Sequence, residues 1–324
     1  MVVRLHFIAS GIFIAALFVH CDWTLSSWDY FWATAALYGF SWFARVIRTF
    51  FNGVPSGVTY EALPDDMVKI TIPTKVSWRA GQHFFIRFLD LGIHAASSHP
   101  FTVASLPDAS DKGGLHIIEL YARVQGGITA RLNSVAKNNT LKVSSVLLDG
   151  PYGGLEGNLH VYDRALLLGG GSGITFIVPL LLDLIHSYES GKMQCSKVHL
   201  VWVVRTNDSL SWFEGALEDA IRRAPKDMLI SITYYVTAAT VDDHVEGKDE
   251  SDPPHTITRH FGRPVLGPIV RQFCNEPGSA AVAVCSPASF SFDAGKAVSE
   301  CELAIVRGTI ACSEIYMHQE PYGW

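Results

Sequence analysis

The chain has 324 residues, of which 48% are hydrophobic and 17% charged, and its formal net charge is −6. This composition excludes a disordered chain, and the lack of any long run of lysine and arginine excludes a nucleic-acid-binding protein. The six cysteines show no CxxC or other metal-binding spacing, so we predict neither a disulfide framework nor a metal site built from them.

Two apolar runs, 5–20 and 28–44, occupy the first fifty residues, and each is close to the minimum length for crossing a bilayer. The basic residues flank the pair on one side of the membrane: Arg4, Arg45 and Arg48. A cleaved signal peptide and a buried soluble hairpin are the alternatives. We predict a membrane hairpin over residues 1–50, because His20-Cys21-Asp22 offers no small-residue cleavage site.

His6 and His20 interrupt the first apolar run. Their spacing puts the two imidazoles about 40° apart around a helix and about 21 Å apart along it. Two imidazoles on one face of a membrane helix suit two stacked haems, each of which needs a second axial ligand from another helix. The alternative is an interfacial histidine at each end of a short helix, and the sequence leaves both open.

Short β-prone runs alternate with turn residues from Gly57 to about His160. The runs are Met67–Ile72, Gln82–Phe88, Leu115–Tyr121 and Leu141–Leu147. Evenly spaced short strands predict a small antiparallel barrel over 57–160. Two glycine-rich turns, 125–127 and 150–154, would let backbone amides approach a phosphate, although each is also typical of an ordinary tight turn.

Strand and helix patterns alternate from Arg164 onwards, which predicts a parallel, doubly wound sheet over 161–324. The glycine-rich stretch 169–173 separates the strand Ala165–Leu168 from the helix Ile174–Ser187. Free amides and the helix dipole favour a pyrophosphate at such a turn. Further strands and helices are predicted at 198–204, 210–223, 228–236, 280–285 and 288–302.

The glycine-rich stretch does not follow the GxGxxG pattern with an acidic residue about 20 positions later. Instead, the second predicted strand of this sheet ends in Arg205. A cation there suits the 2′-phosphate of NADPH, and a solvated surface arginine is the alternative. Residues 241–255 are acidic and proline-rich. We predict a disordered, solvated surface loop there, in which His244 and His255 are not metal ligands.

The order of these features resembles that of the fungal ferric-chelate reductases and, more distantly, of the NADPH oxidases. His99-Pro100-Phe101-Thr102 resembles the flavin-binding signature of that family. Gly127-Ile128-Thr129 is similar to its second FAD-pyrophosphate contact. Residues 150–153 resemble the junction between its two domains. The FAD-site residues implied by the resemblance are His99, Pro100, Phe101, Thr102, Gly127, Thr129, Gly150 and Gly153.

Residues 170–175 are similar to the family's NADPH loop, with Phe176 where the oxidases usually have proline. The segments 202–205 and 262–264 resemble signatures that face the adenine-ribose-phosphate end of the nucleotide. The NADPH-site residues implied by the resemblance are Gly170, Gly171, Ser172, Gly173, Ile174, Thr175, Arg205 and Arg263.

Two further residues are implied as catalytic by the resemblance. Cys285-Ser286-Pro287 resembles the family's Cys-Gly-Pro, so Cys285 would pack beside the nicotinamide ring, with Ser286 replacing glycine. The C-terminal Trp324 resembles the terminal aromatic residue that covers the flavin until nicotinamide displaces it.

The implied fold is an N-terminal transmembrane helical hairpin, an antiparallel β-barrel FAD domain and an α/β doubly wound NADPH domain, as in ferredoxin-NADP reductases. The implied activity is electron transfer from NADPH through FAD, and in a complete protein through haem b, to ferric chelates. Because His6 and His20 resemble only the later haem-ligating helix, we expect an N-terminally truncated family member, with haem binding in this chain left open.

The alternatives to this function are a superoxide-producing NADPH oxidase-like enzyme, a soluble-style flavin reductase and a non-catalytic fragment. The expected partners are NADPH, ferric chelates, the lipid bilayer and either another membrane subunit or a second copy of the chain. The expected location is the plasma membrane, with residues after about 48 in the cytoplasm.

Overall fold

The structure is a computed structural model that describes residues 2–21, 27–107, 114–138, 144–191, 194–238, 250–252 and 255–321. The chain divides into two compact units, Met1–Phe51 and Asn52–Trp324.

The first unit consists of two helices, α1 (Val2–Cys21) and α2 (Ser27–Phe51). The ring of Phe18 on α1 contacts the ring of Trp28 on α2, with centroids 4.0 Å apart. Most of the large apolar side chains on both helices are exposed, including Phe7 at 72%. An apolar surface of this extent is rare on a soluble monomer. The two helices agree with the predicted hairpin, and its place in a membrane stays a prediction.

Length and composition single out one helical stretch of the described chain that could cross a membrane, Gly171–Glu189. This stretch belongs to the second unit, where 61% of it is buried, so it is a core helix of a folded domain. In the first unit, Leu5–Cys21 is apolar but shorter.

The described residues in the first half of the second unit form six strands and one α-helix. The elements are β1 (Thr59–Leu63), β2 (Met67–Thr74), β3 (Gln82–Phe88), β4 (His99–Thr102), β5 (His116–Arg123), α3 (Gly127–Asn138) and β6 (Val146–Gly153). They form two antiparallel sheets of three strands, in the orders β1-β2-β5 and β4-β3-β6. Alternate residues point inward, so Val68, Ile70 and Ile72 of β2 enter a common core with Phe84 and Leu148.

The strand predicted at Leu141–Leu147 was misplaced. Residues 139–143 lie outside the described residues, and the strand itself runs from Val146 to Gly153. Glycine and proline at 150–151 indicated a turn, but these residues continue the strand. A side chain at Gly150 would meet the ring of Phe84 at 2.7 Å, so the inward position there has room only for glycine.

The second half of this unit is a seven-stranded sheet with helices on both faces. Its strands are β7 (Arg164–Gly170), β8 (Lys197–Val204), β9 (Leu229–Val236), β10 (Glu250–Asp252), β11 (His255–Phe261), β12 (Gly278–Cys285) and β13 (Cys312–Glu320). Its helices are α4 (Ile174–Glu189), α5 (Glu214–Arg223), α6 (Leu266–Phe273) and α7 (Ala288–Val306). The strand order is β10-β11-β9-β8-β7-β12-β13, and only β10 is antiparallel to its neighbour.

One apolar layer lies under α4 and α5, and a second lies under α6 and α7. The chain therefore winds outward from β7 in one direction and returns to β12 on its other side. The strand order reverses between β7 and β12. In open α/β sheets, the crevice beyond the carboxyl ends of the strands at such a reversal is where ligands bind.

The predicted solvated loop at 241–255 is wrong for its described part. Glu250–Asp252 pairs with β11, and His255 at the start of β11 is only 7% exposed because β11 lies beside β9 inside the sheet. His244 lies outside the described residues. The predicted helix 210–223 is also shorter, because a 3₁₀ turn over Asn207–Trp212 precedes α5.

A buried histidine in this sheet gives a prediction about acid stability. The Thr258 hydroxyl donates to Thr233 Oγ1 at 3.2 Å, and Thr233 Oγ1 lies 3.0 Å from His199 Nε2. Burial, assisted by nearby Lys197, lowers the pKa of His199 from 6.5 to about 4, so the neutral imidazole is favoured at neutral pH.

Because the folded pKa lies below the unfolded one, the stability contribution is present above pH 6.5 and is lost as the pH falls to about 4. Replacing His199 with Gln removes this titration. We expect wild type to lose up to about 3 kcal/mol more unfolding free energy than the variant between pH 7 and pH 4. Urea unfolding at several pH values measures the difference, and parallel curves for the two proteins would contradict it.

Candidate cofactor site

A glycine turn joins the central strand β7 to α4 at the point where the strand order reverses. Gly171–Gly173 form a 3₁₀ turn, with Gly171 at φ +54°, and α4 begins at Ile174. The turn approaches β12 so closely that a Cβ on Gly173 would lie 2.0 Å from the carbonyl oxygen of Cys285. The N-terminus of a 16-residue helix at this place favours an anionic group.

Neighbouring side chains hold the glycine turn in place. The indole Nε1 of Trp202 donates to the Gly171 carbonyl at 3.0 Å, and the Thr175 hydroxyl donates to the Ser172 carbonyl at 2.9 Å. Trp202 and Ile174 are fully buried. The Trp202 ring therefore fills the core beneath the turn, and the place of the segment 202–205 at the adenine end of the nucleotide stays a prediction.

The predicted flavin strand, His99–Thr102, is β4, and all four residues are half-buried. The Phe101 ring meets the Phe88 ring edge-on, with centroids 6.1 Å apart. His99 Nε2 is 3.0 Å from Ser97 Oγ, and burial lowers the pKa of His99, so its neutral form is favoured. The strand is thus anchored on one side by the apolar core that the two three-stranded sheets share and is open on the other.

A second helix N-terminus lies beside this strand. Gly127 begins α3 with φ +54°, and a Cβ there would have no neighbour within 4 Å. Thr129 Oγ1 accepts from the Gln125 amide at 3.0 Å and donates to the Gly126 carbonyl. The Thr129 side chain therefore closes its own turn, while the Gly127 backbone faces open space that a phosphate could occupy.

One cavity of about 440 Å³ joins these features. We call it the cofactor cleft; it is lined by His99–Thr102, 121–123, 125–129, Ser172, Gly173, Thr175, Cys285 and Pro321. Its volume is typical of small-molecule sites, which span about 300–1,000 Å³. Residues predicted for the flavin, for each pyrophosphate contact and for the nicotinamide therefore line one space, whereas the predicted Gly170, Gly171 and Ile174 are not among its lining residues. The open strand, the two helix N-termini and the exposed glycine backbone fit a flavin and a dinucleotide.

Cys285 ends β12 inside the cofactor cleft and is 6% exposed. Burial, with a further contribution from the Glu320 carboxylate, raises the pKa of Cys285 to about 12. The thiol is therefore neutral at physiological pH, and it offers the cleft a small apolar surface and not a reactive thiolate.

The motifs did not indicate a polar cluster beside Cys285. His318 Nε2 and Glu320 Oε2 on β13 are 3.2 Å apart, and the His318 ring stacks on Phe176 at 5.5 Å. Burial lowers the pKa of His83 on β3, and the charge of Glu320 opposes that shift. His318 and Glu320 reach the cofactor cleft because β13 pairs with β12, which puts Glu320 directly beside Cys285.

Several predicted residues lie outside the cofactor cleft. Arg205 and Arg263 are exposed and follow the carboxyl ends of β8 and β11, which are two strand spacings, roughly 10 Å, apart. Gly150 and Gly153 lie in β6, where a Cβ on Gly153 would be 3.0 Å from His83 Nδ1. Trp324 lies outside the described residues.

The two candidate haem ligands, His6 and His20, are exposed on the single helix α1. α2 contains no histidine, so the described part of the first unit offers one imidazole for each of two haems. Bis-histidine ligation needs two. The described residues also contain no cluster of three or more His, Cys, Asp or Glu side chains that could hold a metal ion. The helices present in this unit do not by themselves fit a haem.

Two family models match this chain in tandem. An FAD-binding domain matches residues 52–156, and a ferric reductase NAD binding domain matches residues 162–299. The chain belongs to the ferric reductase family. Its FAD-binding and nicotinamide-nucleotide-binding domains both contribute residues to the cofactor cleft.

Fungal relatives in the ferric reductase family support the same assignment. A protein of Aspergillus oryzae named as a probable cell surface ferric reductase, kap2, is 32% identical over 65% of this chain and 30% of its own length. A protein of Candida albicans named as a probable ferric reductase transmembrane component is 31% identical over 72% of this chain and 33% of its own. The rat dual oxidase 2 is 30% identical over 57% of this chain and 11% of its own. The chain thus spans about a third of the fungal proteins.

The fold of the two cofactor domains also matches a solved structure. Ferredoxin-NADP+ reductase from Plasmodium falciparum superposes with a TM-score of 0.51 and 11% identity, over 82% of this chain and 95% of that one. The predicted reductase-like pair of domains, with its parallel nucleotide-binding sheet, is confirmed.

Proposed function

We propose that this chain is the electron-entry part of a membrane ferric-chelate reductase that takes electrons from NADPH through FAD. The observation that carries the proposal is the cofactor cleft, which is lined jointly by the flavin strand β4, Gly173 and Cys285. A nicotinamide held at Cys285 would lie against a flavin held by Phe101 and Thr102. Such a face-to-face arrangement is what hydride transfer requires, and the protein's part is to position the two rings.

The residues of the cleft divide this work between them. His99, Pro100, Phe101 and Thr102 would hold the isoalloxazine, and the turns at Gly127 and at Ser172-Gly173 would each take a phosphate group. FAD supplies, when bound, the capacity to accept a hydride from NADPH and to release the two electrons one at a time. The buried, neutral thiol of Cys285 would give the nicotinamide ring a small apolar surface to pack against.

The two exposed arginines would recognise the phosphate end of NADPH. Arg205 and Arg263 leave the carboxyl edge of the sheet beyond β8 and β11, where the dinucleotide would continue from the glycine turn. Neither arginine makes an ion pair with a described residue, so both guanidinium groups can receive a phosphate.

The two helices α1 and α2 would anchor the chain in a membrane. Their exposed apolar side chains support this, as do the relatives named for a cell surface or a transmembrane component. We place the cofactor domains in the cytoplasm, where NADPH is available, and the membrane is proposed to be the plasma membrane. Assembly with another membrane subunit or a second copy would supply the histidines that α1 and α2 do not offer for haem.

An anaerobic visible spectrum of detergent-purified protein, before and after adding NADPH, tests the proposal. We expect a flavin band that bleaches on NADPH addition and returns when a ferric chelate is added. Protein without a flavin band, or with one that ignores NADPH, would leave the non-catalytic fragment as the better description. Reoxidation by oxygen with superoxide release, and none by ferric chelate, would favour the oxidase-like alternative.

Trp324 gives a prediction about nucleotide selectivity. If this aromatic ring covers the flavin, replacing Trp324 with Ser opens the nicotinamide position to either dinucleotide. We expect the ratio of kcat/KM for NADPH to that for NADH to fall by roughly tenfold, as for the loss of one aromatic contact. Steady-state kinetics with both nucleotides measure the ratio, and an unchanged ratio would remove Trp324 from the mechanism.

A further inference from the structure

The tight turn between β1 and β2 reaches from the FAD-binding domain to the nucleotide-binding domain. Asp65 and Asp66 form this turn with φ +56° and +53°, a conformation that non-glycine residues rarely adopt. The Asp65 carboxylate accepts hydrogen bonds from the hydroxyls of both Thr206 and Ser209. Beside it, Trp212 Nε1 donates to the Pro64 carbonyl at 3.0 Å.

The segment that Asp65 contacts, residues 206–213, directly follows Arg205 and is called here the 206–213 turn. Thr206 occupies the N-cap position of this turn, where a threonine hydroxyl ordinarily bonds the backbone of its own helix. No such cap bond forms here, because the Thr206 hydroxyl is turned to Asp65 in the other domain. The side chain that would stabilise the turn locally is thus used between the domains.

The 206–213 turn also packs against the FAD side of the cofactor cleft and against Trp202, which holds the glycine turn. Phe213 packs on Tyr121, a cleft residue of the FAD-binding domain, with ring centroids 4.3 Å apart. On its other side the Phe213 ring packs against the Trp202 ring, with centroids 6.2 Å apart. Trp202 in turn donates a hydrogen bond to the Gly171 carbonyl of the glycine turn. A displacement of the turn would therefore move the flavin side and the nucleotide side relative to each other.

We propose that Asp65 is a positioning residue that fixes the nucleotide-binding domain against the FAD-binding domain and so sets the approach of nicotinamide to flavin. The inference rests on the proposed transfer of electrons from NADPH to FAD. Asp65 touches neither cofactor site, since it is not among the residues of the cofactor cleft. It acts through the 206–213 turn, and its effect falls on the rate of flavin reduction.

Asp65→Gly in the full-length, detergent-purified protein tests this role. Glycine suits the positive φ of the turn, so the hairpin keeps its conformation while the carboxylate is lost. Asp66→Gly is the matched control: it changes the neighbouring residue at nearly the same φ, and the Asp66 side chain makes no hydrogen bond to a described residue.

Two readouts are expected to change in Asp65→Gly and not in Asp66→Gly. Amide hydrogen exchange in 207–213, measured without nucleotide, should become roughly 3- to 10-fold faster, and flavin reduction at saturating NADPH should slow by a similar factor. The Kd for adenosine 2′,5′-bisphosphate, which needs only the nucleotide-binding domain, should stay unchanged. Asp65→Asn, which keeps one acceptor oxygen, should lie between wild type and Asp65→Gly.

Unchanged exchange in 207–213, or an unchanged rate of flavin reduction, would overturn the proposal. So would a loss of adenosine bisphosphate affinity equal to the loss of rate, because that result describes damage within one domain. Thr206→Val with Ser209→Ala approaches the same contact from the other side, and adding Asp65→Gly to it should have no further effect. If wild type itself fails to oxidise NADPH, the proposed function fails, and the exchange comparison still decides whether Asp65 holds the turn.

Discussion

Replacing Gly173 with Ala is expected to unfold the nucleotide site. The added Cβ would lie 2.0 Å from the carbonyl oxygen of Cys285 and 2.7 Å from its carbonyl carbon, and backbone atoms cannot rotate away as a side chain can. Either β12 or the start of α4 must shift, and both are central elements of the sheet and its helix layer. We expect a loss of at least about 3 kcal/mol of unfolding free energy, the upper end of the range for overpacking.

The matched control for Gly173→Ala is Gly215→Ala. Gly215 lies in α5, where a Cβ would meet nothing within 4 Å, so the same added methyl group should stabilise the helix by about 0.5–1 kcal/mol. Urea unfolding followed by tryptophan fluorescence measures both stabilities. NADPH-dependent bleaching of bound flavin measures the site, and it should be lost with Gly173→Ala alone. Equal stabilities of the two variants would mean that β12 and the glycine turn are not packed as described.

The glycine turn shows what local pattern can predict. A short apolar strand, five residues rich in glycine and an apolar helix follow one another along the chain, so strand, turn and helix could be placed from residues 165–187 alone. The close contact of Gly173 with Cys285 could not be predicted in this way. The two positions are 112 residues apart along the chain, and only the pairing of β7 with β12 brings them together. Only the resemblance to a family implied that the glycine turn and Cys285 belong to one nucleotide site.

The residues that prediction missed are those whose roles depend on neighbours distant in sequence. β13 alternates polar and apolar residues weakly, so nothing indicated that His318 and Glu320 would lie beside Cys285. Phe176 was noted only as a departure from proline. In the structure its ring packs under Gly81, where a Cβ would lie 2.9 Å away, and against His318. That contact between the barrel and α4 has no sequence signal of its own.

Arg205 is the residue whose replacement should separate the two nicotinamide nucleotides most clearly. Its side chain is exposed beyond the end of β8 and makes no ion pair with a described residue, so its removal leaves no buried partner unsatisfied. Replacing Arg205 with Ala should therefore spare the fold. If the guanidinium binds the 2′-phosphate, the variant loses a charge-assisted hydrogen bond to NADPH that NADH never makes.

We expect the KM for NADPH to rise by roughly 10- to 100-fold in Arg205→Ala, with the KM for NADH nearly unchanged. Arg222→Ala on α5 is the control, since it removes an exposed arginine of the same domain that pairs with Asp219 on the surface. Steady-state kinetics of wild type and both variants with each nucleotide give the six KM values to be compared. Salt adds an independent check, because screening should weaken NADPH binding in wild type more than in Arg205→Ala.

Equal increases in the two KM values would mean that Arg205 supports the site without contacting the 2′-phosphate. Arg263→Ala then becomes the decisive variant, because Arg263 leaves the same edge of the sheet two strands away and is equally exposed. A selective effect at Arg263 alone would move the phosphate toward β11. Selective effects at both positions would place the 2′-phosphate between the two guanidinium groups, at the end of β9. Neither arginine makes an ion pair there with a described residue.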